Sequence, residues 1–380
     1  MTLSPIVFVT DGHTLSQLAR TLADAPVVAV DTESNSLHAY RERVCLIQIS
    51  TPAADFIVDP IALPDLRLLG PMFANQKQQK VFHAAENDIA ALRRDYQFEF
   101  TNVFDTMTAA RTLGWPQVGL AAILNSHFGV TTNKKFQRAD WRRRPLTPDQ
   151  LEYARLDTHY LTALRDKQFD ELATSGHWPE AHEEFERLAR GRNDQDAIDS
   201  PSPTLWRVKG ARNLSPQQAA VLGILIQYRE YEAARLDRPP FKVMAETTLM
   251  ELVRRAPRRL EELHSVPGLA PEQIRHHGQA LLHGIEKGLQ APPQHPPSES
   301  REPEDVRDRY DRLHTWRKNR ARARGVESDV IVPRTTLQDL ARRAPTTRAE
   351  LVMIKDFGPW RRDTYGDEIL ALLTGSTSLL

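Results

Sequence analysis

Val28-Ala29-Val30-Asp31-Thr32-Glu33 is an apolar run that ends in two acids. Read as a strand, it is buried through its first half, and the two-residue spacing puts both carboxylates on one face. Acids at a strand end commonly cap or turn the chain, so the pair alone decides little. Two further clusters change the reading. His83-Ala84-Ala85-Glu86-Asn87-Asp88 follows another short apolar segment, with Asp88 at a predicted helix start. Tyr153-Ala154-Arg155-Leu156-Asp157 falls on a predicted helix, where a spacing of four sets Tyr153 and Asp157 on one face. Carboxylates gathered by folding repel one another, and burial raises their pKa values unless cations compensate. Hard divalent cations such as Mg²⁺ or Mn²⁺ are the natural compensation, because they prefer oxygen ligands.

Around these acids, residues 1–172 alternate strand-like and helix-like segments, the pattern of an α/β layer domain. Strands are expected at Val27–Asp31, Val44–Ser50, Asp55–Val58, Lys80–His83 and Asn102–Asp105. Thr147-Pro148-Asp149-Gln150 predicts a helix start, with Thr at the N-cap, Pro at the first position and Gln at the third. Residues 173–210 read as a helical and then polar connection. Gly191-Arg192-Asn193-Asp194 and Ser200-Pro201-Ser202-Pro203 mark its break. Ser215-Pro216-Gln217-Gln218 repeats the helix-start chemistry and opens an all-helical region, 211–290. Residues 291–304 hold five prolines and read as an extended, semi-rigid linker to a second helical region, 305–376.

The two helical regions repeat one another. Thr247-Thr248-Leu249-Met250-Glu251-Leu252-Val253-Arg254-Arg255-Ala256-Pro257 aligns with Thr335-Thr336-Leu337-Gln338-Asp339-Leu340-Ala341-Arg342-Arg343-Ala344-Pro345 at eight of eleven identical positions. Each copy follows an arginine-bearing helix and precedes a glycine-containing turn, Val266-Pro267-Gly268-Leu269 or Lys355-Asp356-Phe357-Gly358.

The order and context of the acidic clusters resemble the DEDD superfamily of 3′→5′ exonucleases. Asp31 and Glu33 match its first motif, Asp88 the second, and Tyr153 with Asp157 the third, in the tyrosine-bearing DEDDy form. Val44-Cys45-Leu46-Ile47-Gln48-Ile49, Asp140-Trp141 and Arg144-Pro145-Leu146 also look like this family. The repeats resemble tandem HRDC domains, and the whole arrangement is similar to the bacterial ribonuclease D family. The resemblance implies a ribonuclease H-like mixed sheet with helices on both faces, followed by two all-α HRDC domains. It implies two divalent ions, Mg²⁺ or Mn²⁺, held by Asp31, Glu33, Asp88 and Asp157, with Asp31 bridging. The implied activity is hydrolysis of RNA from single-stranded 3′ ends to nucleoside 5′-monophosphates, with transfer RNA precursors as the substrate class.

Other residues carry two readings each. A tyrosine with a free pKa near ~10 is a poor general base at neutral pH, so Tyr153 reads as a hydroxyl that orients water. Glu86 and Asp105 match no motif position. His83 could contact substrate or support Asp88, but a histidine ending a strand reads better as a satisfied structural residue. Thr32 and Gln48 could line a nucleotide pocket. Lys134, Lys135, Arg138, Arg142, Arg143 and Arg144 surround Phe136 and Trp141 in one loop; the cations read as phosphate contacts and Trp141 as buried.

Length and composition suit a soluble chain of two or three domains. Cys45 is the single cysteine, which excludes an intrachain disulfide and thiolate metal sites. No leader or membrane-spanning run is read, so the expected location is the cytoplasm and no membrane partner is expected. The net charge of zero conceals −6 over residues 1–204 against +4 over 205–290 and +3 over 301–380. Residue chemistry alone leaves two rivals open: a DNA 3′→5′ exonuclease, since nothing visible reads the 2′-hydroxyl, and a non-catalytic nucleic-acid binder. The absence of a Gly-x-x-x-x-Gly-Lys-[Ser/Thr] loop speaks against a helicase.

Overall fold

The computed structural model describes residues 5–132, 134–191, 204–297 and 302–375. The break expected at 192–203 therefore lies outside the described residues, and so does part of the proline-rich segment. Two compact units form. One comprises Met1–Ser34, Val44–Arg192 and Arg301–Leu380, and the other Asn35–Arg43 with Asn193–Ser300.

In the first unit, β1 (Val7–Val9), β2 (Val27–Ser34), β3 (Val44–Ser50), β4 (Asp55–Val58), β5 (Gln79–Phe82) and β6 (Val103–Asp105) make one sheet in the order β1-β4-β3-β2-β5-β6. β2, β3 and β4 run antiparallel as a meander, while β1, β5 and β6 join their neighbours in parallel. The sheet is mixed, as expected. Three details differ from the expectation. β1 was not anticipated, because Val7-Phe8-Val9 is too short to show alternation. β2 continues through both acids to Ser34, with a bulge after Glu33. β5 stops before His83.

Successive residues of β2 feed opposite faces, as the pleat requires. Val28 and Val30 pack with α1 (Gly12–Ala23) and α2 (Glu86–Tyr96), through Leu15, Leu18, Leu22, Ile89 and Leu92. Ala29 faces the other way, into the core shared with α3 (Thr106–Thr112), α4 (Leu120–Phe128), α6 (Leu161–Thr174) and α7 (Trp178–Arg190), and α5 (Pro148–His159) meets the sheet through a separate core that joins Ala154 to Leu46 and Ile57. Asp31 and Glu33 share the face of Ala29. The strand therefore aims its acids at α5.

The two helical modules repeat each other in structure as in sequence. The first has α8 (Pro216–Leu236), α9 (Glu246–Arg255) and α10 (Pro271–Gln290), and the second α11 (Glu304–Arg324), α12 (Arg334–Arg343) and α13 (Pro359–Thr374). α9 and α12 both end on an alanine in the left-handed region, Ala256 at φ 44° and Ala344 at φ 46°. Matching strained caps in both copies mark one fold used twice.

The second module does not extend away from the nuclease-like part on its proline-rich segment. It packs against α7. Arg361 donates to Glu183 at 2.8 Å, and the Trp360 amide donates to the same carboxylate at 2.7 Å. Arg324 pairs with Glu180 and donates to the Thr112 carbonyl at 2.7 Å. Gly358 makes this approach possible, since a Cβ there would stand 2.2 Å from the Glu183 carboxylate. Among the described residues, no helix is long and apolar enough to cross a membrane.

Candidate active site

Three of the expected acids converge. Asp31 and Glu33 rise from β2, and Asp157 descends from α5, so that one oxygen from each lies within 4.8 Å of the others. The position of Asp157 follows from how α5 starts. Thr147 caps the helix, with its hydroxyl accepting from the Gln150 amide and the Gln150 side chain returning to the Thr147 amide. At the other end, Asp55 on β4 accepts from Ser50 at 2.7 Å and from His159 Nδ1 at 2.9 Å, while the Ser50 and Thr158 hydroxyls meet at 2.7 Å. This polar clamp, one and two residues past Asp157, fixes the helix to the sheet. It was not read from the sequence. The available signal was a pair of polar residues directly after the motif acid on a helix that must face a sheet.

Asp88 stands at the start of α2, close enough to Asp31 for its charge to act on that carboxyl. It accepts from the Thr32 amide at 3.1 Å and from the Thr32 hydroxyl. Thr32 thus holds Asp88 and is used by the protein itself. Gln48 is completely buried, so it does not line a nucleotide surface as expected.

The electrostatics follow from burial and mutual repulsion. Asp31 is pushed well above the usual carboxylate range by burial first, then by the charges of Asp88, Asp157 and Glu33. Glu33 is raised by burial and then by Asp157 and Asp88. Burial raises Asp157 to about 7, with Asp88 adding to it. Burial also raises Asp88 to about 7 against the lowering effect of its Thr32 bonds. Among the described residues, no arginine or lysine pairs with any of the four. The site therefore combines oxygen ligands, desolvation and no internal counter-charge, which fits a hard divalent cation.

Tyr153 packs its ring on Trp141, with centroids 6.0 Å apart, and edge-on to Phe136. Burial, followed by Asp157, Glu33 and Asp31, drives its pKa far above the ordinary phenol value. Its hydroxyl stays protonated and is a donor beside three acids. His83 bonds the Thr106 hydroxyl at 2.9 Å, and burial lowers its pKa, which agrees with the structural reading. Asp105 caps α3 and accepts from the Ala85 amide, while Glu86 is exposed.

The basic loop divides. Lys134, Lys135, Arg138 and Arg143 are exposed. Arg142 is held by Asp140, and Arg144 spends its guanidinium on Asp59, the Trp141 carbonyl and the Cys45 carbonyl. Arg144 joins the loop to the sheet, a role the charge count alone did not show. Trp141 is buried.

Residues 6–173 match the family described as 3′-5′ exonuclease, and residues 218–285 and 306–373 each match the HRDC domain. The chain carries a 3′–5′ exonuclease domain and two HRDC domains. The acids described above all lie in the exonuclease domain, a family that depends on divalent metals. The exosome complex exonuclease RRP6 of Saccharomyces cerevisiae is 30% identical over 74% of this chain and 40% of its own length. Protein RRP6-like 3 of Arabidopsis thaliana is 46% identical over 44% of this chain and 19% of its own length. The chain spans less than half the length of the curated relatives it matches. Among solved structures, Escherichia coli RNase D, an exoribonuclease involved in structured RNA processing, superposes with a TM-score of 0.72 at 25% identity. That match covers 98% of this chain and all of the other. The catalytic core of RRP6 from Trypanosoma brucei superposes at 0.66 with 28% identity, over 76% of this chain and 82% of its own. Similarity thus reaches both the bacterial enzyme and eukaryotic RRP6 proteins, a wider circle than the bacterial family expected from the motifs.

Proposed function

We propose that this chain is a divalent-metal-dependent exoribonuclease that shortens RNA from a single-stranded 3′ end, releases 5′-monophosphates and has transfer RNA precursors among its substrates. The observation that carries the reading is the convergence of Asp31, Glu33 and Asp157 oxygens within 4.8 Å, with no lysine or arginine among the described residues paired to them. The description of the E. coli relative as an exoribonuclease involved in structured RNA processing supports RNA over DNA as the substrate. Asp31, Glu33 and Asp157 would hold one ion, and Asp31 with Asp88 a second. Bound as a pair, such ions supply charge neutralisation and a reactive nucleophile at neutral pH.

The rest falls to the chain itself. The neutral Tyr153 hydroxyl donates to the attacking water and fixes its direction, since it cannot take a proton at this pKa. The Thr158–His159 clamp holds α5, and with it Tyr153 and Asp157, at a constant height above β2. The exposed Lys134, Lys135, Arg138 and Arg143 meet the phosphates of the incoming strand.

Matched RNA and DNA oligomers labelled at the 5′ end, incubated with chelator or with Mg²⁺ or Mn²⁺, test the proposal. The expected result is a ladder receding from the RNA 3′ end only when metal is present. An equal ladder on DNA would move the substrate class. Binding of RNA with no ladder under any metal would return the chain to the non-catalytic reading. A transfer RNA precursor with an unpaired 3′ extension should be trimmed faster than one whose extension is paired.

A further inference from the structure

Gln48 lies in the middle of β3 and is completely buried, yet neither its amide nitrogen nor its amide oxygen has a hydrogen-bond partner. A buried amide that bonds to nothing is unfavourable, because it has left water without replacement. Leucine or methionine would fill the same space without that cost. The position of Gln48 suggests what the amide is for. It is paired in register with Asp31 across the β2–β3 ladder. Directly opposed residues in such a ladder have Cβ atoms about 4.5–5.5 Å apart, within reach of a glutamine side chain. Two residues further along β3, Ser50 meets Thr158 of α5, and two residues back Leu46 packs with Ala154 of the same helix. Gln48 therefore stands on the face that α5 covers, between these two contacts and beside the strand that carries Asp31 and Glu33.

We propose that Gln48 is a positioning residue of the carboxylate site, whose amide N–H orients the Asp31 carboxylate when a divalent cation is bound. The proposal rests on the metal-dependent reading above. A carboxylate that serves a cation must present its lone pairs in a fixed rotation, and donors behind the ligand set that rotation. An arginine or lysine in the same place would also orient Asp31, but its charge would displace the cation. The amide orients without neutralising. The buried surroundings strengthen a bond from this amide, since the local dielectric is low.

Two volume-preserving variants without a donor, Gln48→Leu and Gln48→Met, test this in the full-length protein. Three quantities are measured: the melting temperature without metal, Mn²⁺ affinity without RNA, and kcat and KM on an oligoribonucleotide. The expected result is an unchanged or higher melting temperature, because an unpartnered amide has been removed. Mn²⁺ affinity should fall by roughly tenfold to a hundredfold, and kcat should fall with KM unchanged. A purely structural glutamine would give the opposite pattern, lower melting with Mn²⁺ affinity intact, and that result would overturn the proposal. So would affinity and kcat within about twofold of the unsubstituted protein. Asp31→Asn is the control. If it leaves Mn²⁺ affinity unchanged, the metal reading itself fails, and the role of Gln48 fails with it.

Discussion

Two groups of buried and half-buried acids occupy the same compact unit and meet opposite circumstances. Glu180 and Glu183 on α7 face Arg324 and Arg361 of the second HRDC domain. Burial raises Glu180, but Arg324 pulls it back, and Arg361 is nearly enclosed with its guanidinium shared among Glu183 and the Val330 and Ile331 carbonyls. Asp31, Glu33, Asp88 and Asp157 are as crowded, and among the described residues no arginine or lysine pairs with them. Desolvation is common to both groups, so it does not distinguish them. The counter-charge does. Acids answered from within the chain fasten one domain to another, and acids left unanswered form a place for something brought from outside.

The largest effect expected from this contrast is on activity. Asp31→Asn should lower kcat by roughly 10³-fold or more, equivalent to about 4 kcal/mol of barrier, in single-turnover assays with metal restored. The metal-free melting temperature should stay level or rise, because one repelling charge is gone. A fall in melting temperature would mean that the cluster is structural after all.

Arg361→Met reverses the pattern. It leaves Glu183 buried without its partner, and loss of one member of a buried pair costs about 3–5 kcal/mol. Denaturant titration should show this as a lower midpoint, and adding Glu183→Met should recover much of it. A single variant as stable as the parent would show that the interface does not depend on this pair.

Tyr153→Phe should lower kcat by about 10²-fold or less and leave KM nearly unchanged, the mark of a lost orienting hydroxyl. The pH–rate profile should show no new limb from the tyrosine, whose pKa is already far above neutrality. An unchanged kcat would make Tyr153 a packing residue against Trp141.

The smallest effect is on stability against pH. Asp88 and Asp157 have native pKa values raised from 3.8 to about 7, so the native state holds their protons more tightly than the unfolded chain. Their contribution is fully present below about 4 and is lost as pH rises through about 7. Metal-free protein should therefore melt lower at pH 8 than at pH 5.5, by a few degrees, and Mg²⁺ should reverse the loss at the higher pH. A melting temperature independent of pH and of metal would remove the unanswered charge from the comparison.

Much of this was legible from local rules. The capping box at Thr147 and Gln150 depends on four consecutive residues, and the structure forms it as read. The eight-of-eleven repeat predicted two like modules; that both end this helix on an alanine in the left-handed region is visible only in the structure. Asp31 and Glu33 share a face of β2 because the period of a strand fixes which side chains point together, and the structure brings Asp157 of α5 to them. Other features were out of reach. Arg144 was counted as a phosphate contact because its charge is visible in sequence, whereas its partner Asp59 is 85 residues away. The orphaned amide of Gln48 and the clamp of Asp55 with His159 likewise depend on which strand lies beside which.

Residue order was sufficient for most of the elements and for the repeat, since each depends on backbone periodicity or on caps a few residues long. Tertiary structure alone decided that the second HRDC domain folds back on α7 rather than reaching outward. It also decided that Asp88 is held by Thr32, and that no lysine or arginine among the described residues pairs with the four acids. The reason is physical: desolvation and Coulomb energy depend on distance and on what fills the space between charges, and neither is set until remote segments meet.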